Sequence, residues 1–200
     1  TGHGLPAAIG AIPVARAFYA MTRRGFSLAR ILGEINDQLC EILPTEVFLA
    51  AVGIEIDDDE GRLLIWNGGL PDVILRGPEG IKRSIGSSHV PLGLVRSGAL
   101  RFDMKLIELA PGDRIYAFTD GVIETQNESG EQFGEKRLAE LITSATHLDA
   151  IVELIEGALL DFRDGEAQSD DITLLELTYI PGFTSRMRNA PISGRQALTW

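Results

Sequence analysis

Two acidic clusters are the residues of this chain best suited to chemistry: Asp120-Gly121 with Glu124 close behind, and Asp170-Asp171 further on. Each sits against an apolar run. Arg114–Thr119, rich in aromatic and branched residues, reads as a short buried strand behind the turn Pro111-Gly112-Asp113. Asp170-Asp171 opens a second apolar strand, Ile172–Tyr179. Carboxylates fixed at strand ends are hard oxygen donors, the type that holds magnesium or manganese. Gly121 lets other groups approach closely, and Val122-Ile123 brings Glu124 back toward the same mouth. Asp-Gly alone equally suits a tight turn; it is the second acidic pair that points to a metal.

Other chemistries find less support. No His pair, Cys–His pair or Ser–His–Asp arrangement competes. His89, near a turn, and His147, between two helices, read as surface residues. Asp57-Asp58-Asp59 lacks the calcium-loop spacing and the closing Glu, so it reads as a solvated turn. Gly2-x-Gly4 before a helix could meet an anion, but two glycines carry little weight.

The 200 residues suffice for one domain with a real core. Hydrophobic residues make up 44% and charged residues 24%, and the mean hydropathy is +0.08, as in ordinary globular chains. A formal net charge of −11 argues against a nucleic-acid or anionic-membrane partner and would suit a cation pocket. The single Cys40 excludes an intramolecular disulfide and a cysteine zinc site, and reads as a core thiol. No apolar run reaches the roughly 18 residues of a membrane span. No signal peptide is visible and the chain opens without Met, so a fragment of a cytoplasmic protein is expected.

The elements that must position the acidic groups follow from periodicity. Leu5 to about Arg24 is a helix that Pro13 should kink or interrupt, ended by Gly25. Ser27 could cap a second helix to about Ile42, with Leu28, Ile31, Leu32, Ile35 and Leu39 on one face. Glu46–Ile56 and Arg62–Trp66 flank the acidic turn as strands, and Val73–Arg76 and Ile81–Ile85 suggest another hairpin. Leu100–Leu109 alternates as a strand. Thr125–Gly130 reads as an exposed loop. Gly134 to about Thr143 and Leu148 to about Phe162 are helices with core-facing stripes. This order suits an α+β domain over residues 1–180 in which helices cover sheets, followed by a flexible tail or linker at 181–200.

The ordered set of motifs resembles the PPM-type metal-dependent serine/threonine protein phosphatases, in the bacterial SpoIIE-type branch. Thr1-Gly2-His3-Gly4 resembles the end of an Asp-x-(Ser/Thr)-Gly-His-Gly motif, and Phe48–Ile56 resembles the core strand after the second helix. Asn67-Gly68-Gly69-Leu70-Pro71 resembles Asn-Ala-Gly-His-x-Pro, with Leu70 where His is usual. Pro91-Leu92-Gly93, Leu109-x-Pro111-Gly112-Asp113 through Phe118-Thr119-Asp120-Gly121 with Glu124, Phe133-Gly134 and Asp170-Asp171-x-Thr173 complete the set.

The resemblance implies a four-layer α/β/β/α sandwich with two Mn²⁺ or Mg²⁺ ions between the sheets, activating a water that attacks phosphoserine or phosphothreonine. Asp120 and Asp170 correspond to the family's metal aspartates and act through that water. Asp171 is a further metal or supporting partner, Glu124 lies at the site's edge where some members place an additional metal, and Gly2, Gly4 and Gly121 shape the loops. The family's bridging Asp would stand just before Thr1, and its first strands upstream of that, so the resemblance implies an N-terminally truncated domain with an incomplete site.

The leading functional expectation is a phosphatase output domain of a signalling protein such as a response regulator. Its substrate would be a phosphorylated regulatory protein such as an anti-sigma-factor antagonist, with a sensor or receiver domain upstream and homodimerisation left open. The alternative is a catalytically inactive, phosphatase-like docking module. A calcium-binding structural domain built on the acidic turn is a third idea.

Overall fold

A computed structural model describes residues 5–44, 47–96, 98, 101–145, 151–168 and 170–182. Two antiparallel sheets form its centre. Strands β1 (Ala51–Asp57), β2 (Arg62–Gly68) and β5 (Lys105–Glu108) make one, in the order β1-β2-β5. Strands β3 (Val73–Gly77), β4 (Gly80–Ile85), β6 (Arg114–Phe118) and β7 (Leu174–Thr178) make the other, in the order β4-β3-β6-β7. The period-2 alternation of side chains sorts each strand into two faces. Leu63, Ile65 and Ile107 of the first sheet meet Val73, Leu75, Ile115 and Ala117 of the second in a buried inner core.

Helices cover both outer faces. Helices α1 (Leu5–Thr22) and α2 (Leu28–Ile42) lie on the three-stranded sheet, where Leu28, Ile31, Leu32, Ile35 and Leu39 pack with Trp66 and Leu92. Helices α3 (Asp120–Glu124), α4 (Gly134–Ser144) and α5 (Ile151–Arg163) cover the four-stranded sheet, with Leu138, Ile142, Ile155 and Leu159 against Ile74, Tyr116 and Phe118. This is the α/β/β/α sandwich that the family resemblance implies. Strand β6 is central and covered on both faces, so all five of its residues are buried.

Several local expectations need correction. Helix α1 runs unbroken through Pro13; a proline removes one donor, and the rest of the 18-residue helix retains its bonds. Ser27 occupies the N-cap position of α2, but its side chain makes no capping bond. The Leu28 amide donates instead to Glu55 Oε2 at 3.1 Å, so a carboxylate from β1 serves the helix N-terminus. Strand β5 covers only Lys105–Glu108 of the alternating run, and β1 begins at Ala51, with Leu49 joined only by an isolated bridge to Leu92. Cys40 is half-buried rather than in the core. Thr125 is buried, because its hydroxyl donates to the Gly121 carbonyl at 2.7 Å. His89 is half-buried, tilted against Trp66 with ring centroids 5.5 Å apart. His147 and residues 183–200 of the tail lie outside the described residues. No helix among the described residues is long and apolar enough to cross a membrane.

Candidate metal centre

Strand pairing decides where the acidic residues fall. Phe118 pairs with Leu174, Ile74 with Tyr116, and Ala51 with Gly68. The C-terminal ends of β2 and β6 and the N-terminal ends of β1, β3 and β7 therefore share one end of the sandwich. Asp120 leaves β6 there, and Asp170-Asp171 enters β7 there.

A hydrogen-bonded clasp joins the two acidic segments. The Thr119 amide donates to the Thr173 carbonyl at 3.0 Å, and the Thr173 amide returns a bond to Thr119 Oγ1 at 2.9 Å. Thr119 Oγ1 donates in turn to the Asp171 carbonyl at 3.2 Å, across 52 residues of sequence. Thr119 stands at the N-cap position of α3, yet its side chain is engaged with the segment leading into β7 and caps nothing. Gly121 is buried and faces the same carbonyl: a β-carbon there would stand 2.5 Å from Asp171 O. Glycine is required at 121 by close approach, since its φ is not among the positive ones.

Asp120 is not a strand-end turn residue but the first residue of α3, a five-residue helix. It is exposed, and its Oδ1 accepts the Gly121 amide at 3.1 Å. Asp170 repeats the pattern: it is exposed, and its Oδ1 accepts the Asp171 amide at 2.7 Å. Each carboxylate thus anchors one oxygen on the following amide and leaves the other open to solvent. Gln168 Nε2 donates to the Asp170 carbonyl at 2.7 Å, fixing the loop from the α5 side. Asp171 and Glu124 are exposed, with Glu124 four residues along α3 from Asp120, on the same helical face. Gly2 and Gly4 lie outside the described residues.

The clasp therefore gathers Asp120, Asp170, Asp171 and Glu124 at one end of the fold. Among the described residues, no group of three or more His, Cys, Asp or Glu side chains is arranged to hold a metal ion. The donors present are nevertheless of the right kind, two carboxylates with free oxygens on a fixed backbone, for a hard divalent cation. Sequence reasoning missed Thr119 and Gln168 as supports. A threonine directly before Asp-Gly was a visible signal for the first; nothing in the sequence marks the second.

A family profile, Stage II sporulation protein E (SpoIIE), matches residues 1–179. The chain belongs to the SpoIIE family. Solved structures agree in fold. The SiaA-PP2C domain of Pseudomonas aeruginosa superposes with a TM-score of 0.76 at 23% identity, covering 90% of this chain and 72% of that one. The PP2C phosphatase domain of the cell fate determinant SpoIIE from Bacillus subtilis, solved with a fragment of its regulatory domain, gives 0.75 at 16% identity, covering 88% of this chain and 51% of that one. Protein IcfG of Synechocystis sp. is 31% identical over 121 residues, 60% of this chain and 19% of that protein's length. This SpoIIE-family chain thus shares the fold of these PP2C domains.

Proposed function

We propose that this domain is a divalent-metal-dependent protein serine/threonine phosphatase acting on a phosphorylated bacterial regulatory protein, as the output module of a signalling protein. The observation that carries the reading is the Thr119–Thr173 clasp, which brings Asp120 and Asp170 together from distant parts of the chain. Asp120 and Asp170 would hold Mg²⁺ or Mn²⁺, with Asp171 as a further oxygen donor and Glu124 at the rim. When bound, such cations lower the pKa of coordinated water and offset charge on a phosphoryl group. The chain's own contributions are positional. Thr119 locks the two segments in register, Gly121 allows them to touch, and the Gly121 and Asp171 amides each orient one carboxylate.

The test is Mn²⁺ titration calorimetry together with hydrolysis of a phosphoserine peptide. Binding and turnover are expected in the native sequence, and both are expected to fall at least tenfold in Asp120→Ala and Asp170→Ala. Unchanged Mn²⁺ affinity in those variants would sink the site assignment.

A second reading is a docking module that keeps the fold without the chemistry. Its support is the absence of a three-residue acidic cluster among the described residues, and Leu70 at the position where His is usual. Leu70 is half-buried in a turn that Asn67 staples, accepting the Leu70 amide at 3.2 Å and donating to the Pro71 carbonyl at 2.9 Å. Phosphoprotein binding with no metal-dependent turnover would favour this reading.

A further inference from the structure

We propose that the chain's own tail, residues 183–200, docks in a cavity of about 310 Å³ between α5 and the start of β7. The inference does not depend on the phosphatase reading. Val122, Ile155, Leu159, Ile172 and Leu174 give the cavity aliphatic walls, and Leu160, 53% exposed, lines it at the surface. Glu156, Arg163 and Gln168 are polar groups of the same lining.

The cavity adjoins the acidic end. Gln168, on its wall, donates from Nε2 to the Asp170 carbonyl at 2.7 Å. Ile172 follows Asp171 directly, and a β-carbon on Gly121 would stand 3.5 Å from Ile172 Cγ1. Glu156 and Arg163 carry opposite charges and offset each other within the cavity. The surplus charge around it is therefore negative, from the exposed Asp120, Asp170 and Asp171. An occupant that matches both features is apolar and cationic.

The tail has that composition. Residues 183–200 contain Arg186, Arg188 and Arg195 and no Asp or Glu, in a chain of net charge −11. Phe183, Met187, Ile192, Leu198 and Trp200 supply apolar anchors. The reach also suffices. The Gly182 amide donates to Asp58 Oδ1 at 3.1 Å, which fixes the start of the tail at the far end of β7. The return from Gly182 to Leu174 spans at most about 27 Å at the rise of a strand, whereas residues 183–200 extend to about 60 Å. Ile192, Leu198 and Trp200 can therefore enter the cavity. Among the described residues β7 is the edge strand of its sheet, so the path back along it crosses no other strand. Tethering supplies an effective concentration on the order of millimolar, so a contact of modest affinity is enough.

Tryptophan fluorescence of the full chain tests this, because Trp66 and Trp200 are its two tryptophans and Trp66 is 1% exposed. The emission of Trp200 is read as the difference between the native chain and Trp200→Phe. In the native chain it is expected to be blue-shifted and shielded from acrylamide. Leu160→Glu places a charge in the cavity at an exposed position, and is expected to red-shift the emission and raise quenching several-fold. Replacing Arg186, Arg188 and Arg195 by Gln alters only the tail and is expected to do the same. A Trp200 that is fully quenchable in the native chain, or shielding that survives Leu160→Glu or the arginine replacements, overturns the inference. Shielding that fades on dilution also overturns it, since it places the tail on a second copy.

Discussion

Gly121 and Asp171 meet backbone to backbone, so closely that a single methyl group on residue 121 would overlap the Asp171 carbonyl oxygen. The contact lies between the two acidic segments, and its tightness makes residue 121 a sensitive probe of the site. Gly121→Ala is expected to push the segments apart, costing about 1–3 kcal/mol of stability as an overpacked contact. Mn²⁺ affinity is expected to fall with it. Urea unfolding and calorimetry check the two effects, and an alanine variant with native stability and native Mn²⁺ binding would falsify the close-contact account.

Thr119 holds the same junction through its hydroxyl. Thr119→Val keeps the shape but strands the Thr173 amide and frees the Asp171 carbonyl. A loss of about 1 kcal/mol is expected because the junction is partly open to water. Thr119→Ser, which retains the hydroxyl, is expected to recover most of it. Thermal unfolding of the pair measures the difference.

Arg76 has a structural role remote from the acidic end. It is buried on β3, with Nε donating to the Ile142 carbonyl at 2.7 Å and a terminal nitrogen donating to the Ala145 carbonyl at 3.0 Å. These bonds satisfy carbonyls at the C-terminus of α4, where a cation also favours the helix dipole. Arg76→Met is expected to cost about 3 kcal/mol, read as a lower urea midpoint with unchanged slope.

Tyr116 provides a pH signature. Burial, and then the nearby charge of Glu176, raise its phenol to about 12 from the ordinary 10. A pKa raised in the folded state means that the folded chain holds the proton more tightly. Its stabilising contribution is therefore fully present below pH 10 and is lost as pH rises from 10 to about 12. Tyr116→Phe is expected to flatten that part of the melting-temperature profile relative to the native chain. Parallel profiles across this window would show that the phenol is not the group responsible.

Much of the architecture was legible because it rests on period and punctuation. The stripe Leu28, Ile31, Leu32, Ile35, Leu39 announced α2, and the aromatic and branched run Arg114–Thr119 between turn residues announced β6 as a buried strand. The ends of elements were less legible, since tertiary contacts set them. Asp120 reads as the end of a strand, but the chain turns helical at that residue, with Thr119 at the N-cap position bound to the segment before β7. Pro13 reads as an interruption, but the helix around it is long enough to absorb one missing bond. Asp120 and Asp170 were both visible as acidic residues beside apolar runs. Their proximity was not, since it depends on the pairing of Phe118 with Leu174, which no local pattern encodes. The supporting roles of Thr119 and Gln168 escaped notice because they act through backbone atoms of the second acidic segment, which only the fold brings within reach.

The clasp also orders events in time. Its two halves lie 52 residues apart, so on a ribosome adding 5–20 residues per second they emerge roughly 3–10 s apart. Closing a loop of that length has an entropic cost of roughly 3.5 kcal/mol before any contact compensates for it. A nascent chain therefore carries Asp120 at the end of β6 with β7 still unmade, a sheet edge open, and half of its acidic cluster absent. The acidic end of this domain is completed only as β7 docks, which makes it a reporter that the whole four-stranded sheet has formed.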